Sequence, residues 1–110
     1  MEMSRALAAF AALSQPTRLD VFRLLIRAGP EGMVAGDIAA QLGVRQNTLS
    51  ANLSILVGAG LLSNTREGRS IRYRADMDGL RGLLAFLLQD CCGGDPGLCQ
   101  PLIDELACAC

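Results

Sequence analysis

The fold is decided by residues 37–56, which read DIAAQLGVRQNTLSANLSIL. Apolar residues recur in this stretch every three or four positions, as a helix buried on one face requires. They are Ile38, Ala39 and Leu42 before Gly43, and Leu49, Leu53 and Leu56 after it. Glycine commonly ends a helix because it adopts left-handed backbone angles without strain. The stretch therefore predicts two short helices joined by a tight turn at Gly43.

The residues that follow change from helical to alternating spacing. Residues 61–65 and 70–74 flank Arg66-Glu67-Gly68-Arg69, which predicts a β-hairpin with Gly68 in its turn. Helix, turn, helix and hairpin in this order predict a winged helix-turn-helix, a mostly α-helical fold with a small β-hairpin. The alternative is a solvated polar helix beside a charged hairpin on another small α+β domain.

Further helices are predicted on both sides of this unit. The helix predicted over residues 3–13 carries Met3, Leu7, Phe10 and Leu13 on one face. The helix predicted over residues 17–28 is expected to bury Leu19, Phe22, Leu25 and Ile26. After the hairpin, helical spacing resumes with Leu80, Leu83, Leu84, Leu87 and Leu88, and a short amphipathic helix is predicted around Leu102, Ile103 and Leu106. The Leu80–Leu88 stripe is wide for a helix on the surface of a small monomer, which indicates a partner.

Composition limits the chemistry available to the chain. Its 110 residues suffice for one domain, 1–110, and contain no His. His-based zinc sites and Ser-His or Cys-His nucleophile pairs are excluded, and no Cys-x-x-Cys occurs, so we expect no enzyme. No apolar run is long enough to span a membrane, and we expect a cytoplasmic protein without a membrane partner.

Charge is unevenly distributed along the chain. The formal net charge is −1, yet residues 45–74 carry five arginines against Glu67 alone, a local charge of +4. Such a segment predicts a surface that binds double-stranded DNA. The residues predicted to contact DNA are Gln46, Asn47, Thr48, Ser50 and Asn52 on the second helix of the pair, and Arg66, Arg69 and Arg72 on the hairpin.

The five cysteines all lie in residues 91–110, which divides the domain into a core, 1–90, and a cysteine-rich segment. Cys91, Cys92 and Cys99 can fold onto one ion through a short loop. Three thiolates suit trivalent arsenic or antimony, whose lone pair occupies the fourth direction. Zinc, cadmium or lead with a fourth thiolate from Cys108 or Cys110, and a thiol-oxidation switch, are the alternatives.

The chain resembles the ArsR/SmtB family of bacterial metal-responsive repressors from about Leu7 to Gly94. The stretches that carry the resemblance are residues 12–19 (ALSQPTRL), 37–43 (DIAAQLG), 60–62 (GLL) and 66–73 (REGRSIRY). The resemblance implies a homodimer joined by the first and last helices, which binds an imperfect inverted repeat and leaves it when a toxic metal or metalloid binds.

Some arsenic-responsive members carry a vicinal cysteine pair followed by a third cysteine, as Cys91, Cys92 and Cys99 do here. The chain also departs from the family. Val34 and Gly36 stand where many members have cysteines, Asn52 where a His is frequent, and Arg45 where a Ser cap is common. We therefore expect a repressor released by arsenic(III) or antimony(III) through its carboxyl-terminal cysteines.

Overall fold

The computed structural model describes residues 1–88 and 96–108. Its helices are α1 (Met3–Leu13), α2 (Pro16–Ala28), α3 (Ala35–Leu42), α4 (Gln46–Gly58), α5 (Met77–Leu87) and α6 (Pro96–Cys108). Its strands are β1 (Met33–Val34), β2 (Leu62–Glu67) and β3 (Ser70–Ala75). The prediction of a mostly helical winged helix-turn-helix is confirmed.

The helix-turn-helix consists of α3 and α4. Gly43 follows α3 with left-handed angles (φ 64°, ψ 35°), and the amide of Val44 donates to the carbonyl of Ala39 at 3.1 Å. The three predicted leucines of α4, Leu49, Leu53 and Leu56, are at most 1% exposed. The turn at Gly43 and the inward face of α4 are therefore as predicted.

The wing is the hairpin of β2 and β3, which pair antiparallel from Leu62↔Ala75 to Glu67↔Ser70. Strand β2 runs two residues beyond its predicted end, to Glu67, so the turn contains only Gly68 and Arg69. Strand β1 adds a third, unpredicted strand, with Met33 opposite Tyr73. Two residues are too few to show an alternating pattern. The glycine before β1, Gly32, is the local sign of this pairing. It permits the close approach to β3, because a Cβ at position 32 would collide with the carbonyl oxygen of Tyr73.

Helix α1 buries a different face from the one predicted. Ala6, Ala9 and Ala12 are at most 2% exposed, whereas Met3 and Leu7 are about 60% exposed, at 62% and 59%. Small side chains let α1 approach the core closely, and of the four large apolar residues on the predicted face only Leu13 packs against the core. In α2, Phe22 and Leu25 are buried as predicted, but Leu19 and Ile26 are exposed.

Helix α5 begins at a capped end and buries only part of its leucine stripe. The carboxylate of Asp76 accepts from the amide of Gly79 at 3.0 Å. Leu83 is buried, while Leu84 and Leu87 are exposed. The boundary predicted at residue 90 lies outside the described residues and stays a prediction. Helix α6 begins at Pro96, so Cys99 lies in its first turn and not in the predicted loop.

Candidate nucleic-acid interface

The outer surface of α4 presents a row of small and polar side chains. The predicted contact residues Gln46, Asn47, Thr48 and Ser50 are all exposed. Ala51 and Ser54 extend the same surface. Carboxamides can bond adenine edges in two places, and hydroxyls can reach bases or phosphates. The surface therefore has the size and chemistry to enter a major groove.

The amino-terminal turn of α4 has no side-chain cap from the preceding Arg45. Instead, Oδ1 of Asn47 accepts from the amide of Thr48 at 2.8 Å. Amides of the first helical turn lack partners within the helix and favour an anionic neighbour such as a phosphate. Arg45 is itself exposed at this end and was not predicted as a DNA contact.

Asn52 does not belong to this surface, which corrects the prediction. Its side chain is 7% exposed, and its Oδ1 accepts from Nη1 of Arg18 at 3.0 Å. Helical spacing contains the signal that was missed, since Asn52 lies three residues after Leu49 and beside Leu53. It therefore faces the core together with the leucines.

The wing arginines differ in their freedom to contact DNA. Arg66 and Arg69 are exposed near the turn, and Nε of Arg66 donates to the carbonyl of Gly68 at 3.3 Å. Arg72 is half-buried and already has partners at the protein surface, since its Nε pairs with Glu67 at 2.9 Å and its Nη1 donates to the carbonyl of Glu31 at 3.1 Å. These contacts brace the wing, and the predicted contact of Arg72 with DNA stays a prediction.

Arg74 anchors the base of the wing in the same way. Its Nε donates to the carbonyl of Pro30 at 3.0 Å, and its Nη1 donates to Oγ1 of Thr65 at 2.8 Å. Sequence reasoning missed this role. The alternation of β3 places Arg72 and Arg74 on one face, but nothing in the sequence shows that the turn before β1 meets them.

Most of the cysteines lie outside the residues that the structure describes. Cys91 and Cys92 fall outside the described residues, and Cys99 is placed by its backbone in α6. Among residues 1–88 and 96–108, no group of three His, Cys, Asp or Glu side chains is arranged to hold a metal ion. The predicted metal site stays a prediction. Within these residues, no helix has the length and apolar character needed to cross a bilayer.

The structure has the two helices of a helix-turn-helix, α3 and α4, and the outer surface of α4 is polar and exposed. A hairpin with exposed arginines lies beside them. These features define a class of protein, the winged helix-turn-helix DNA-binding proteins. Residues 13–63 match a family model described as a helix-turn-helix domain. The transcriptional regulator CmtR of Mycobacterium tuberculosis is 35% identical over 96 residues, which are 87% of this chain and 77% of the relative.

A probable mercury resistance operon repressor of Streptomyces lividans is 32% identical over 97 residues, 80% of this chain and 75% of the relative. An ArsR-like regulator from Rhodococcus superposes with a TM-score of 0.70 at 28% identity, over 94% of this chain and 93% of the other. A homodimeric winged helix-turn-helix domain from Mycobacterium bovis is described as a possible ArsR-family regulator. It superposes with a TM-score of 0.65 at 26% identity, over 89% of this chain and 85% of the other.

The chain belongs to the ArsR/SmtB family of transcriptional repressors. Its relatives regulate transcription and are not enzymes, in agreement with the prediction made from composition.

Proposed function

We propose that this repressor leaves its operator when trivalent arsenic or antimony binds Cys91, Cys92 and Cys99. The observation that carries the proposal is the distribution of soft ligands along the chain. All five cysteines follow residue 90, and the chain contains no His. Thiolates are therefore its only strong soft donors, and soft donors select thiophilic ions. We also propose a cytoplasmic location, where thiols stay reduced.

The donor set fits a trigonal ion. Three thiolates satisfy an arsenic(III) or antimony(III) centre, whose lone pair occupies the remaining direction, without the fourth ligand that tetrahedral zinc requires. No competing cluster of three ligating residues lies within the part of the chain that the structure describes. Cys91 follows the end of α5 closely, at Leu87, which puts two of the three thiols next to that helix in sequence.

A route from α5 to the DNA-contacting helix supports the proposed coupling. Gly79 of α5 packs so closely on Gly60, just after α4, that a Cβ at position 79 would overlap the carbonyl oxygen of Gly60. The amide of Asp76 also donates to the carbonyl of Leu61 at 2.8 Å. A change at the end of α5 that tilts this helix therefore displaces the end of α4. Ligand binding and DNA binding become coupled through that geometry.

The repressor acts, we propose, as a homodimer joined by α1 and α5. Exposed apolar side chains on these two helices support the proposal. They are Met3, Leu7 and Phe10 on α1, and Leu84 and Leu87 on α5. The similar domain from Mycobacterium bovis is homodimeric by its description. A two-fold dimer presents two copies of α4 in opposite directions, so its operator is an inverted repeat.

A soft divalent metal is the second candidate inducer. The name of the Streptomyces lividans relative, a probable mercury resistance operon repressor, favours it. Cys108 or Cys110 then supplies a fourth thiolate for cadmium, lead or zinc. A thiol-oxidation switch on the same scaffold would respond to peroxide and need no ligand.

The test is a titration of the reduced protein on a fluorescent operator duplex, which is first selected from a random-sequence library with the wild-type protein. Arsenite is expected to release the duplex, and Cys91→Ser, Cys92→Ser or Cys99→Ser to blunt the release while leaving operator affinity unchanged. Cys108→Ser is the matched control and responds as the wild type does. Arsenic X-ray absorption should count three sulfur neighbours.

Three outcomes contradict the arsenic proposal. An operator complex that survives saturating arsenite but dissociates with cadmium or lead identifies a divalent inducer. Release by peroxide alone identifies the oxidation switch. An unchanged arsenite response in all three serine variants rejects the proposed ligands.

A further inference from the structure

A partly buried hydrogen-bonded link joins the first two helices to the DNA-contacting helix. Arg18, in the first turn of α2, donates from Nε to the carbonyl of Ala12 at 2.6 Å and from Nη1 to Oδ1 of Asn52 at 3.0 Å. The amide of Arg18 is itself held by Oε1 of Gln15 at 2.8 Å. One guanidinium thus connects the end of α1, the start of α2 and the middle of α4.

Asn52 is an unusual residue for its position. Over the described residues it is the single buried polar side chain, and it lies in the leucine row of α4. An apolar residue there would pack with Leu49 and Leu53 without needing a partner. Buried polar pairs contribute little net stability, but they select one arrangement because their hydrogen bonds are directional.

The arrangement that this link selects is the rotation of α4 about its own axis. Leucine packing tolerates small rotations, whereas a hydrogen bond weakens steeply when its angle is lost. A rotation of about 20° moves the outer side chains of a helix by about 2 Å, because the helix radius with side chains is about 5–6 Å. A displacement of that size removes hydrogen bonds to base edges.

We propose that Arg18 is a positioning residue for operator recognition. Through Asn52 it sets the rotation at which α4 presents its polar surface to the major groove. The proposal rests on the DNA-binding function of the family and not on the identity of the inducer. It also gives the α1–α2 junction, which adjoins the proposed dimer helix α1, a direct contact with α4.

The experiment is a double-mutant cycle with Arg18→Met, Asn52→Leu and the two combined. The dissociation constant is measured, without inducer and at fixed salt, for an operator duplex selected from a random library and for a random duplex of equal length. Asn52→Leu changes no charge. It should weaken operator binding on the order of tenfold, as expected for a hydrogen bond to a charged group, and change random-duplex binding less than twofold.

The double variant separates positioning from folding. With both polar side chains replaced by apolar ones, neither side chain of the Arg18–Asn52 pair is left without its partner, and the carbonyl of Ala12 alone loses a donor. Urea unfolding should therefore show a folded protein. Because Arg18 acts through Asn52, the second substitution should cause no further loss of specificity. The ratio of operator affinity to random-duplex affinity in the double variant should therefore be at least that of the more impaired single variant. Arg23→Met, an exposed arginine of the same helix, controls for the lost charge and should keep the wild-type ratio.

Two results overturn the proposal. The first is a wild-type ratio of operator to random affinity in the folded double variant, which would make the link structural only. The second is a pair of single-variant losses that multiply in the double variant, since Arg18 and Asn52 would then act independently. A variant that loses its response to arsenite but keeps its ratio of operator to random affinity would bear on the proposed inducer. It would not contradict the positioning role of Arg18.

Discussion

At the scale of single residues, the DNA-facing surface of α4 depends on which carboxamides remain free. Asn47 is exposed but already bonded to the amide of Thr48. Asn52 has the same chemistry and is committed to Arg18. Two identical side chains five positions apart thus have different roles, because one lies on the outer side of the helix and the other in its leucine row.

Asn47→Ala should weaken binding to the selected operator by about 1–3 kcal/mol for each half-site and relax the preference for one base pair there, because the carboxamide can no longer contact a base edge. Competition with single-base-pair operator variants measures the effect. Gln41→Ala is the control, since Gln41 is exposed on α3. Equal losses on all operator variants would show that Asn47 contacts no base.

Arg69 and Arg72 should separate in their salt dependence. Arg69 is exposed at the wing turn, so Arg69→Gln should weaken binding to all sequences. It should reduce the slope of log affinity against log salt by about 1.8, which is about 0.9 for each of the two wings of the proposed homodimer. Arg72 is held by Glu67 and the Glu31 carbonyl, so Arg72→Gln should leave that slope nearly unchanged. A slope reduced equally by both changes would restore Arg72 as a phosphate contact.

At the scale of elements, the position of α5 is fixed by the absence of a side chain. Gly79 lies against the carbonyl of Gly60, and the Asp76 cap holds the first turn of the helix in the same place. The end of α4 and the start of α5 therefore share one contact, so a shift of α5 transmits directly to α4.

Gly79→Ala should destabilise the protein by about 1–3 kcal/mol through overpacking, although alanine normally stabilises a helix interior relative to glycine. Urea unfolding measures the change. Gly82→Ala is the matched control in the same helix, since its Cβ would meet only the flexible end of Met1 at 3.2 Å. An unchanged or raised stability for Gly79→Ala would mean that α5 does not rest on α4 in this way.

Local periodicity predicts the elements whose inward side chains are large. The leucines of α4 and the alternation in β3 place their elements correctly. The same rule fails for α1, because Ala6, Ala9 and Ala12 have the same helical spacing as its large residues. Which set turns inward depends on how closely α1 approaches α2 and α4, and no local pattern encodes that distance. Strand β1 exists only through its pairing with β3.

The candidate site, like the fold, was predictable where it depends on local sequence patterns. The exposed positions of α4 and the arginines of the wing turn follow from helical spacing and from the hairpin. The roles of Arg18, Arg72 and Arg74 depend on contacts with residues far away in the sequence, such as Asn52, Glu31 and Pro30. Charge alone cannot distinguish an arginine that braces the fold from one that reaches for DNA.

At the scale of the whole molecule, the single chain leaves apolar surface uncovered. The Cα radius of gyration is 15.5 Å, above the value of about 13 Å typical of a compact domain of this length. Exposed apolar residues occur on both α1 and α5, and the side chain of Met1 lies against Gly82 of α5. These exposed residues are the apolar surface through which the proposed homodimer would associate.

Leu7→Glu should convert the dimer to a monomer and weaken operator binding by at least tenfold, because a buried charge opposes association and two half-sites are no longer bound together. Sedimentation velocity measures the mass. Leu19→Glu is the control, since Leu19 is similarly exposed, at 42%, on α2. A dimer that tolerates Leu7→Glu would place the interface elsewhere.

The bracing of the wing has a consequence for target choice. Arg72 and Arg74 fasten its base to the turn at Pro30 and Glu31, so the hairpin keeps a set distance from α4 before any encounter. We expect a hairpin held at its base in this way to adjust little when it meets a duplex. The protein should then prefer DNA whose minor groove already has a suitable width, or whose minor groove narrows at small elastic cost. This preference would act at base pairs that no side chain touches.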